Sequence, residues 1–223
     1  MNTKSLNAIV LSGGTSSRFG SDKASAKING QTLLELLITN LLAEGLEEIV
    51  VVGPKVALNL GKTLEVAARI TFVREAPEFG GPVAAIAAAI SEIQSEQVAI
   101  FATDMPFAPK FLPALKARLD AELDSKLDSK LESKLAGDAA LIVDSQGFAQ
   151  PLAALYQSAP LKEALSELAK INGVSGQSMK RLIIDLKQVL VPLHETQLNP
   201  DYLLDIDTPQ ALELAIDLQS RLV

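Results

Sequence analysis

The residues best suited to chemistry fall in one stretch, Leu11-Ser12-Gly13-Gly14-Thr15-Ser16-Ser17-Arg18-Phe19-Gly20-Ser21-Asp22-Lys23. Glycines at 13, 14 and 20 let a backbone approach a ligand closely, and N–H groups turned inward make a nest for an anion. Arg18 offers a planar fork of donors and Lys23 a point charge, both matched to phosphate oxygens. The stretch is not a Walker A loop, because no Gly-Lys-Ser/Thr triplet occurs. It is not a dinucleotide fingerprint either, because Gly13 and Gly14 are adjacent. A polar surface loop would also use glycines. The pairing of Arg18 with Lys23 directly after the apolar run Ala8 to Leu11 favours phosphate.

Other segments add acidic and polar groups. Asp104, in Phe101-Ala102-Thr103-Asp104-Met105-Pro106, follows a strand-like run and suits a divalent cation that bridges phosphates, although a turn or cap would use the same residue. Glu75-Ala76-Pro77-Glu78-Phe79-Gly80-Gly81-Pro82 leads into an alanine-rich helix, whose N-terminus is a good neighbour for an anion. Asp205-Ile206-Asp207 places two carboxylates on one face if the chain is extended, and Thr208-Pro209 then reads as a helix start. Gln150, before Pro151 and Leu152, is a polar entry to a strand. His194 sits in Val191-Pro192-Leu193-His194-Glu195 with no serine or aspartate context, which argues against catalysis.

Composition narrows the chemistry. The 223 residues contain no cysteine and one histidine, so disulfides, thiolate catalysis and multi-histidine metal sites are ruled out. Hydrophobic residues make up 48%, which is a globular value. The net charge of −7 leaves no broad basic stripe, so a nucleic-acid partner is not expected. The longest apolar run, Val83 to Ile90, is too short to cross a bilayer, and the amino terminus lacks a signal-peptide pattern. A cytoplasmic protein without a membrane partner is expected.

These groups need a scaffold that brings them together. Strand-like runs at Ala8–Leu11, Ile49–Val52, Ile70–Val73, Val98–Ala102, Ala139–Val143 and Leu152–Tyr156 alternate with helical patterns. The helical patterns are Leu33–Ala43, with Gly45 as a stop, Pro82–Ile93, Leu161–Ala169 and Ala211–Leu222. The alternation predicts an α/β fold with a mostly parallel sheet between helical layers. Ligands in such sheets bind beyond the carboxyl ends of the strands, where the glycine loop and Asp104 both begin. The chain is expected to form a single domain over 1–223.

Leu119 to Leu135 breaks the rhythm with a four-residue repeat, LDAELDSKLDSKLESKL. On a helix each step of four drifts about 40°, so five leucines wrap roughly 160° and give no flat core face. Like charges also stand four apart. The repeat reads as a low-complexity, exposed helical extension at about 119–135. A partner-binding helix is the alternative.

In order and distance, these segments resemble the molybdenum cofactor guanylyltransferase family. The family's opening Leu-x-Gly-Gly-x-Ser-x-Arg-Met-Gly-x-Asp-Lys motif is matched from Leu11 to Lys23, with Phe19 for Met. Gly81-Pro82-Val83-Ala84-Ala85, Thr103-Asp104-Met105-Pro106, Gln150-Pro151-Leu152 and Asp205-Ile206-Asp207-Thr208-Pro209 match later segments. The likeness covers nearly the whole chain outside the repeat. It implies a three-layer α/β/α Rossmann-like nucleotidyltransferase fold with a mostly parallel mixed sheet.

It also implies transfer of GMP from GTP to a molybdopterin-type cofactor, with release of pyrophosphate. On that likeness Arg18, Lys23 and Asp104 are the catalytic residues. Leu11, Ser12, Gly13, Gly14, Lys23, Gly53, Glu75, Gly81, Pro82 and Asp104 bind the nucleotide. Mg²⁺ is held by Asp104, with Asp205 and Asp207 as further candidates. Gln150, Pro151, Asp205 and Asp207 face the acceptor. Gly53 stands where the family has Asn, Glu75 where it has Asp, and Asp205 and Asp207 where it has a pair of Asn. These departures keep open CTP in place of GTP, or another phosphorylated acceptor. A third alternative is a non-catalytic nucleotide-binding adaptor docking through the leucine repeat. Transient contact with molybdoenzymes or cofactor-insertion proteins is the protein partnership the resemblance implies.

Overall fold

The computed structural model of the chain describes residues 6–13, 26–61, 69–127 and 137–222. Its strands are β1 (Leu6–Leu11), β2 (Lys27–Ile28), β3 (Gln31–Thr32), β4 (Glu48–Val52), β5 (Arg69–Val73), β6 (Gln97–Ala102), β7 (Ala139–Val143), β8 (Ala149–Gln157) and β9 (Gln188–Pro192). The α-helices are α1 (Leu33–Ala43), α2 (Pro82–Ala89), α3 (Leu112–Leu127), α4 (Ser158–Asn172), α5 (Met179–Ile183) and α6 (Pro209–Ser220). Seven strands form one sheet in the order β5-β4-β1-β6-β8-β7-β9. All of its pairings are parallel except the two made by β8, with β6 and with β7. The mostly parallel mixed sheet expected from the sequence is therefore present, with helices on both faces.

The three layers follow from side-chain alternation along buried strands. Ala8 and Val10 of β1, Ile49 and Val51 of β4, and Ala99 and Phe101 of β6 face one core with Leu37, Ile38 and Leu41 of α1. Ile9 and Leu11, Val50 and Val52, and Val98 and Ile100 face the other, with Val83 and Ile86 of α2 and Leu161 and Leu165 of α4. A third cluster joins Ile28, Leu33, Leu36 and Phe107 to Ile206, Ala215 and Leu218. It fastens the carboxyl-terminal helix beside the β2–β3 hairpin.

Local chemistry sets the element ends. Thr32 and Glu35 form a capping box at the start of α1: Glu35 N–H donates to Thr32 Oγ1 at 3.2 Å, and Thr32 N–H donates to Glu35 Oε2 at 2.8 Å. Such a cap stabilises a helix by about 1 kcal/mol. The β2–β3 turn is Asn29-Gly30, with φ of 50° and 86°, the left-handed pair that tight hairpins require.

Several elements differ in extent from the sequence expectation. β8 runs from Ala149, because its edge-to-edge pairing with β7 reaches past the apolar run. The helix from Pro82 ends at Ala89 and continues as a 3₁₀ turn over Ile90–Glu92. Leu119, the first leucine of the repeat, is fully buried and not part of an exposed extension. With Leu112 and Leu115 it falls on one helix face at steps of three and four, and α3 presents that face to the core. Residues 128–135 of the repeat lie outside the described residues. No helix among the described residues is long and apolar enough to cross a membrane.

Candidate functional site at the carboxyl edge of the sheet

The carboxyl ends of four neighbouring strands are stitched together by backbone hydrogen bonds. Ser12 N–H donates to the Val52 carbonyl at 2.9 Å, and Gly53 N–H to Val73 at 3.0 Å. Thr103 donates twice to the Leu11 carbonyl, from its N–H at 3.1 Å and from Oγ1 at 2.9 Å. Leu11, Ser12 and Gly13 are thus held beside Gly53 on one side and Thr103-Asp104 on the other. Gly13 is exposed and Ser12 half-buried, so the start of the glycine loop faces the edge. Gly14, Arg18 and Lys23 lie outside the described residues.

Gly53 is dictated by that packing. A Cβ there would stand 2.4 Å from the Ser12 carbonyl oxygen, a separation no side chain tolerates. The asparagine of the family pattern cannot occupy this backbone position without moving β1 from β4.

Beyond β5, Glu75 is half-buried, and its Oε2 is shielded from water with no hydrogen-bond partner among the described residues. An acceptor left this way has given up water without replacement. Gly81 follows with φ +87° as N-cap of α2, where it supplies no side-chain cap, and Pro82 occupies the first turn. The helix start therefore keeps N–H groups available to an anion. The neighbouring loop was not flagged by the sequence: Gly176 N–H donates to the Gly80 carbonyl at 2.7 Å. Ser175, Gly176 and Gln177 thus wall this end of the site, and their only sequence signal was a glycine between polar residues.

Asp104 follows β6 in a turn, half-buried. Its carbonyl accepts from Ile206 N–H at 2.9 Å, so the Asp205-Ile206-Asp207 segment lies against it. Ile206 is fully buried, Asp205 exposed and Asp207 half-buried, the alternation expected of an extended stretch. Among the described residues no group of three or more His, Asp or Glu is placed to hold a metal ion. One carboxylate in a turn still fits Mg²⁺, which retains water and takes its remaining ligands from substrate phosphates.

Gln150 and Pro151 lie on the part of β8 that overhangs β6, whose last pair is Phe101 with Ala153. The overhang projects past the sheet edge on the Asp104 side. Gln150 does not point free into that space: its Nε2 donates to Asp144 Oδ2 at 2.8 Å. Asp144 also accepts from the backbone N–H of Phe148 at 2.9 Å and of Gln146 at 2.8 Å. The Phe148 bond, joined by those from Gln146, Gln150 and Gly147 against a burial penalty, holds the Asp144 carboxyl below its ordinary pKa. The Pro151 carbonyl accepts from Tyr156 OH at 2.7 Å, and burial pushes that phenol's pKa up. His194 is exposed in a 3₁₀ turn after β9, at the far edge of the sheet.

A doubly covered, mostly parallel sheet with a glycine loop and a carboxylate at adjacent strand ends defines a Rossmann-like nucleotidyltransferase fold. Solved structures share it. Molybdopterin-guanine dinucleotide biosynthesis protein A from Archaeoglobus fulgidus superimposes with a TM-score of 0.63 at 21% identity, over 96% of this chain and 99% of that one. A nucleotidyl transferase from Methanothermobacter gives 0.66 at 15% identity over 100% of both chains. The 2-C-methyl-D-erythritol 4-phosphate cytidylyltransferase from Thermus thermophilus gives 0.58 at 19% identity, over 95% and 98%.

The chain belongs to the MobA-like NTP transferase domain family, whose profile matches residues 8–189. A probable molybdenum cofactor guanylyltransferase of Bacillus cereus strain Q1 is 32% identical over 100 residues, 44% of this chain and 48% of that protein. A probable molybdenum cofactor guanylyltransferase of Bacillus anthracis is 31% identical over the same shares. The chain thus matches about half the length of these curated relatives.

Proposed function

We propose that this protein transfers GMP from GTP to a molybdopterin-type cofactor, releasing pyrophosphate. The observation that carries the proposal is the convergence of Leu11–Gly13, Asp104 and the Asp205–Asp207 segment at one sheet edge, secured by the Thr103–Leu11 and Ile206–Asp104 bonds. Family membership and the naming of the Bacillus relatives support it.

In this reading the Leu11–Gly14 backbone holds the nucleotide, and the α2 N-terminus behind Gly81 and Pro82 adds N–H groups for its negative charge. Arg18 and Lys23 neutralise the triphosphate and the departing pyrophosphate. Asp104 would hold Mg²⁺, which supplies Lewis-acid stabilisation of phosphate charge. The acceptor lies between the β8 overhang at Gln150 and Pro151 and the Asp205–Asp207 segment. Its terminal phosphate oxygen forms a bond to the α-phosphorus of GTP, and the bond to the bridging oxygen of the β-phosphate breaks. The attacking phosphate oxygen is already ionised near neutral pH and the pyrophosphate leaves as an anion, so positioning and charge stabilisation suffice without a general base. A cytoplasmic site of action and transient contact with molybdoenzymes or insertion proteins belong to the same reading.

Glu75 bears on the base. A carboxylate matches the adjacent N1–H and N2 donors of guanine, whereas cytosine offers one amino group beside two acceptors. The exchange of two asparagines for Asp205 and Asp207 supports the second reading, cytidylyl transfer or a different phosphorylated acceptor. Purified protein with Mg²⁺, molybdopterin-type cofactor and either GTP or CTP decides the matter. Pyrophosphate release with GTP is expected. Release with CTP alone moves the protein to cytidylyl transfer, and release with neither leaves a different phosphorylated acceptor, which a screen of acceptors for GTP-dependent pyrophosphate release then decides.

A further inference from the structure

Phe79 holds a backbone conformation unsuited to its side chain. Its φ is +61°, in the left-handed region that glycine and asparagine enter readily and a bulky residue does not. Among the described residues the other non-glycine positions with positive φ are Asn29 and Gln197, so no other aromatic side chain is held this way. Packing does not compensate, because Phe79 is 71% exposed, whereas Phe101, Phe107 and Phe111 are fully buried. A single exposed apolar residue is ordinary. One that is exposed and strained together gains nothing from the core, and backbone strain of this kind collects where ligands bind.

The surroundings hold Phe79 in place. It lies in the turn between β5 and α2. After it, the buried Gly80 accepts the Gly176 N–H on its carbonyl at 2.7 Å. A Cβ at Gly80 would stand 2.8 Å from the Ala84 Cβ, so the chain runs tightly along the first turn of α2. Before it, Glu78 forms an ion pair with Arg74. The ring is therefore carried on a loop tied at both ends. Helix α2 packs Val83 and Ile86 against Ile9 and Leu11 of β1 and Val50 and Val52 of β4, which brings this loop toward the side of the sheet where Leu11–Gly13 emerges. Glu75, four residues earlier, has the shielded Oε2 without a partner among the described residues. The acceptor elements Gln150 and Pro151 belong to β8, four strand spacings or about 19 Å from β5.

We infer that Phe79 is a specificity-determining residue whose ring stacks on the nucleobase of the bound nucleotide. The inference rests on the proposed reading that the nucleotide lies between the Leu11–Gly13 backbone and the start of α2. Glu75 then addresses the edge of the base and Phe79 its face. A stacked contact draws on dispersion and ring electrostatics and needs no hydrogen-bond partner. It accounts for both peculiarities of Phe79. The ring is exposed because its partner is the ligand, and the left-handed φ gives the side chain a direction that a residue of negative φ would not have. The tied loop keeps the ordering cost of binding low.

The test compares the full-length wild type with Phe79→Asn, which removes the ring and suits the left-handed backbone. GTP and inorganic tripolyphosphate are titrated separately by calorimetry. GTP affinity is expected to fall about tenfold or more, tripolyphosphate affinity to stay level, and the urea midpoint to hold or rise. Unchanged GTP affinity overturns the inference. An equal loss with both ligands also overturns it, because Phe79 then supports the loop and not the base. Phe79→Trp gives a second measurement, since the chain has no tryptophan of its own. Its fluorescence should change saturably with GTP and stay level with tripolyphosphate, and no response to GTP counts against stacking. Pyrophosphate release by a wild type whose GTP affinity matches that of Phe79→Asn would sink this inference and keep the transfer reading. A base-dependent loss in a protein that releases no pyrophosphate with any acceptor would do the reverse.

Discussion

Ile206 donates its backbone N–H to the carbonyl of Asp104 at 2.9 Å, and this bond ties the carboxyl-terminal segment to the end of β6. The side chain of Ile206 is buried with Leu33, Phe107, Ala215 and Leu218, so the same residue that meets Asp104 also anchors α6. Ile206→Ala removes that anchor and leaves a cavity. Such truncations cost about 2–5 kcal/mol, read as a lowered urea midpoint. If Asp205 and Asp207 face the acceptor, the variant also raises the KM for acceptor and leaves that for GTP. A shift in both KM values would show instead that the segment supports the whole edge.

Asp104 itself is the second test. Asp104→Ala is expected to lower turnover about 10²–10³-fold, the range seen when one charge-stabilising group is removed. Added Mg²⁺ should not restore the rate, and calorimetric binding of metal-free GTP should change little. A wild-type Mg²⁺ dependence in the variant would remove Asp104 from the metal site.

Gly53 is fixed both by contact and by its φ of +155°, which L side chains rarely adopt. Gly53→Ala would drive a methyl group to 2.4 Å from the Ser12 carbonyl. The backbone there cannot yield easily, since Ser12 and Gly53 are each bonded to the next strand. Overpacking of this kind costs about 1–3 kcal/mol. Because the strain falls on Ser12, GTP affinity should drop about tenfold or more, measurable by calorimetry. Unchanged affinity with lowered stability would separate Gly53 from the nucleotide.

The apolar runs predicted the sheet strands because strands buried on both faces need continuous β-branched and aliphatic residues. β9 escaped, since Gln188 and Leu190 are exposed on an edge strand and dilute the pattern. The β2–β3 hairpin escaped although Asn29-Gly30 is a hairpin signature, because each strand is only two residues long. Leu11–Gly13 and Asp104 were legible as strand-end motifs. Three features were not: the Gly176–Gly80 contact, the Asp144 clamp on Gln150, and the Ile206–Asp104 bond. Each joins residues far apart in sequence, or spends on structure a polar side chain that looks free on paper.

Asp144 and Glu35 supply a pH signature. Hydrogen bonds, led by that from Phe148, hold Asp144 below its ordinary value of 3.8. For Glu35 burial is the largest influence and opposes ionisation. The bonds from Thr32 N–H, Asn59 N–H and Thr32 Oγ1, with Lys27 nearby, together outweigh it and keep the pKa below 4.5. A depressed folded pKa gives stability that is full above the unfolded value and disappears as pH falls through the folded one. The stability gap between wild type and Asp144→Asn should therefore be flat from about pH 7 to 5 and shrink below about pH 4. A gap that grew on acidification would contradict the clamp.

On the proposed reading, Glu75 would let the site tell one base from another. Its Oε2 is buried without a partner among the described residues, and a ligand that brings a donor to it, with a second donor beside it for the other oxygen, would satisfy the carboxylate. Guanine does so through N1–H and N2, and the carboxylate charge strengthens both bonds. Glu75→Gln keeps the shape but replaces one acceptor oxygen with a donor that would face the base's own N–H. Hydrogen bonds to a charged group contribute about 1.5–3 kcal/mol. The kcat/KM for GTP should therefore fall about 10- to 100-fold, while any residual use of CTP stays level or rises. Glu75→Asp retains the charge on a shorter arm and should recover part of the loss. Equal losses with GTP and CTP would instead mean that Glu75 supports the loop before α2, not the base.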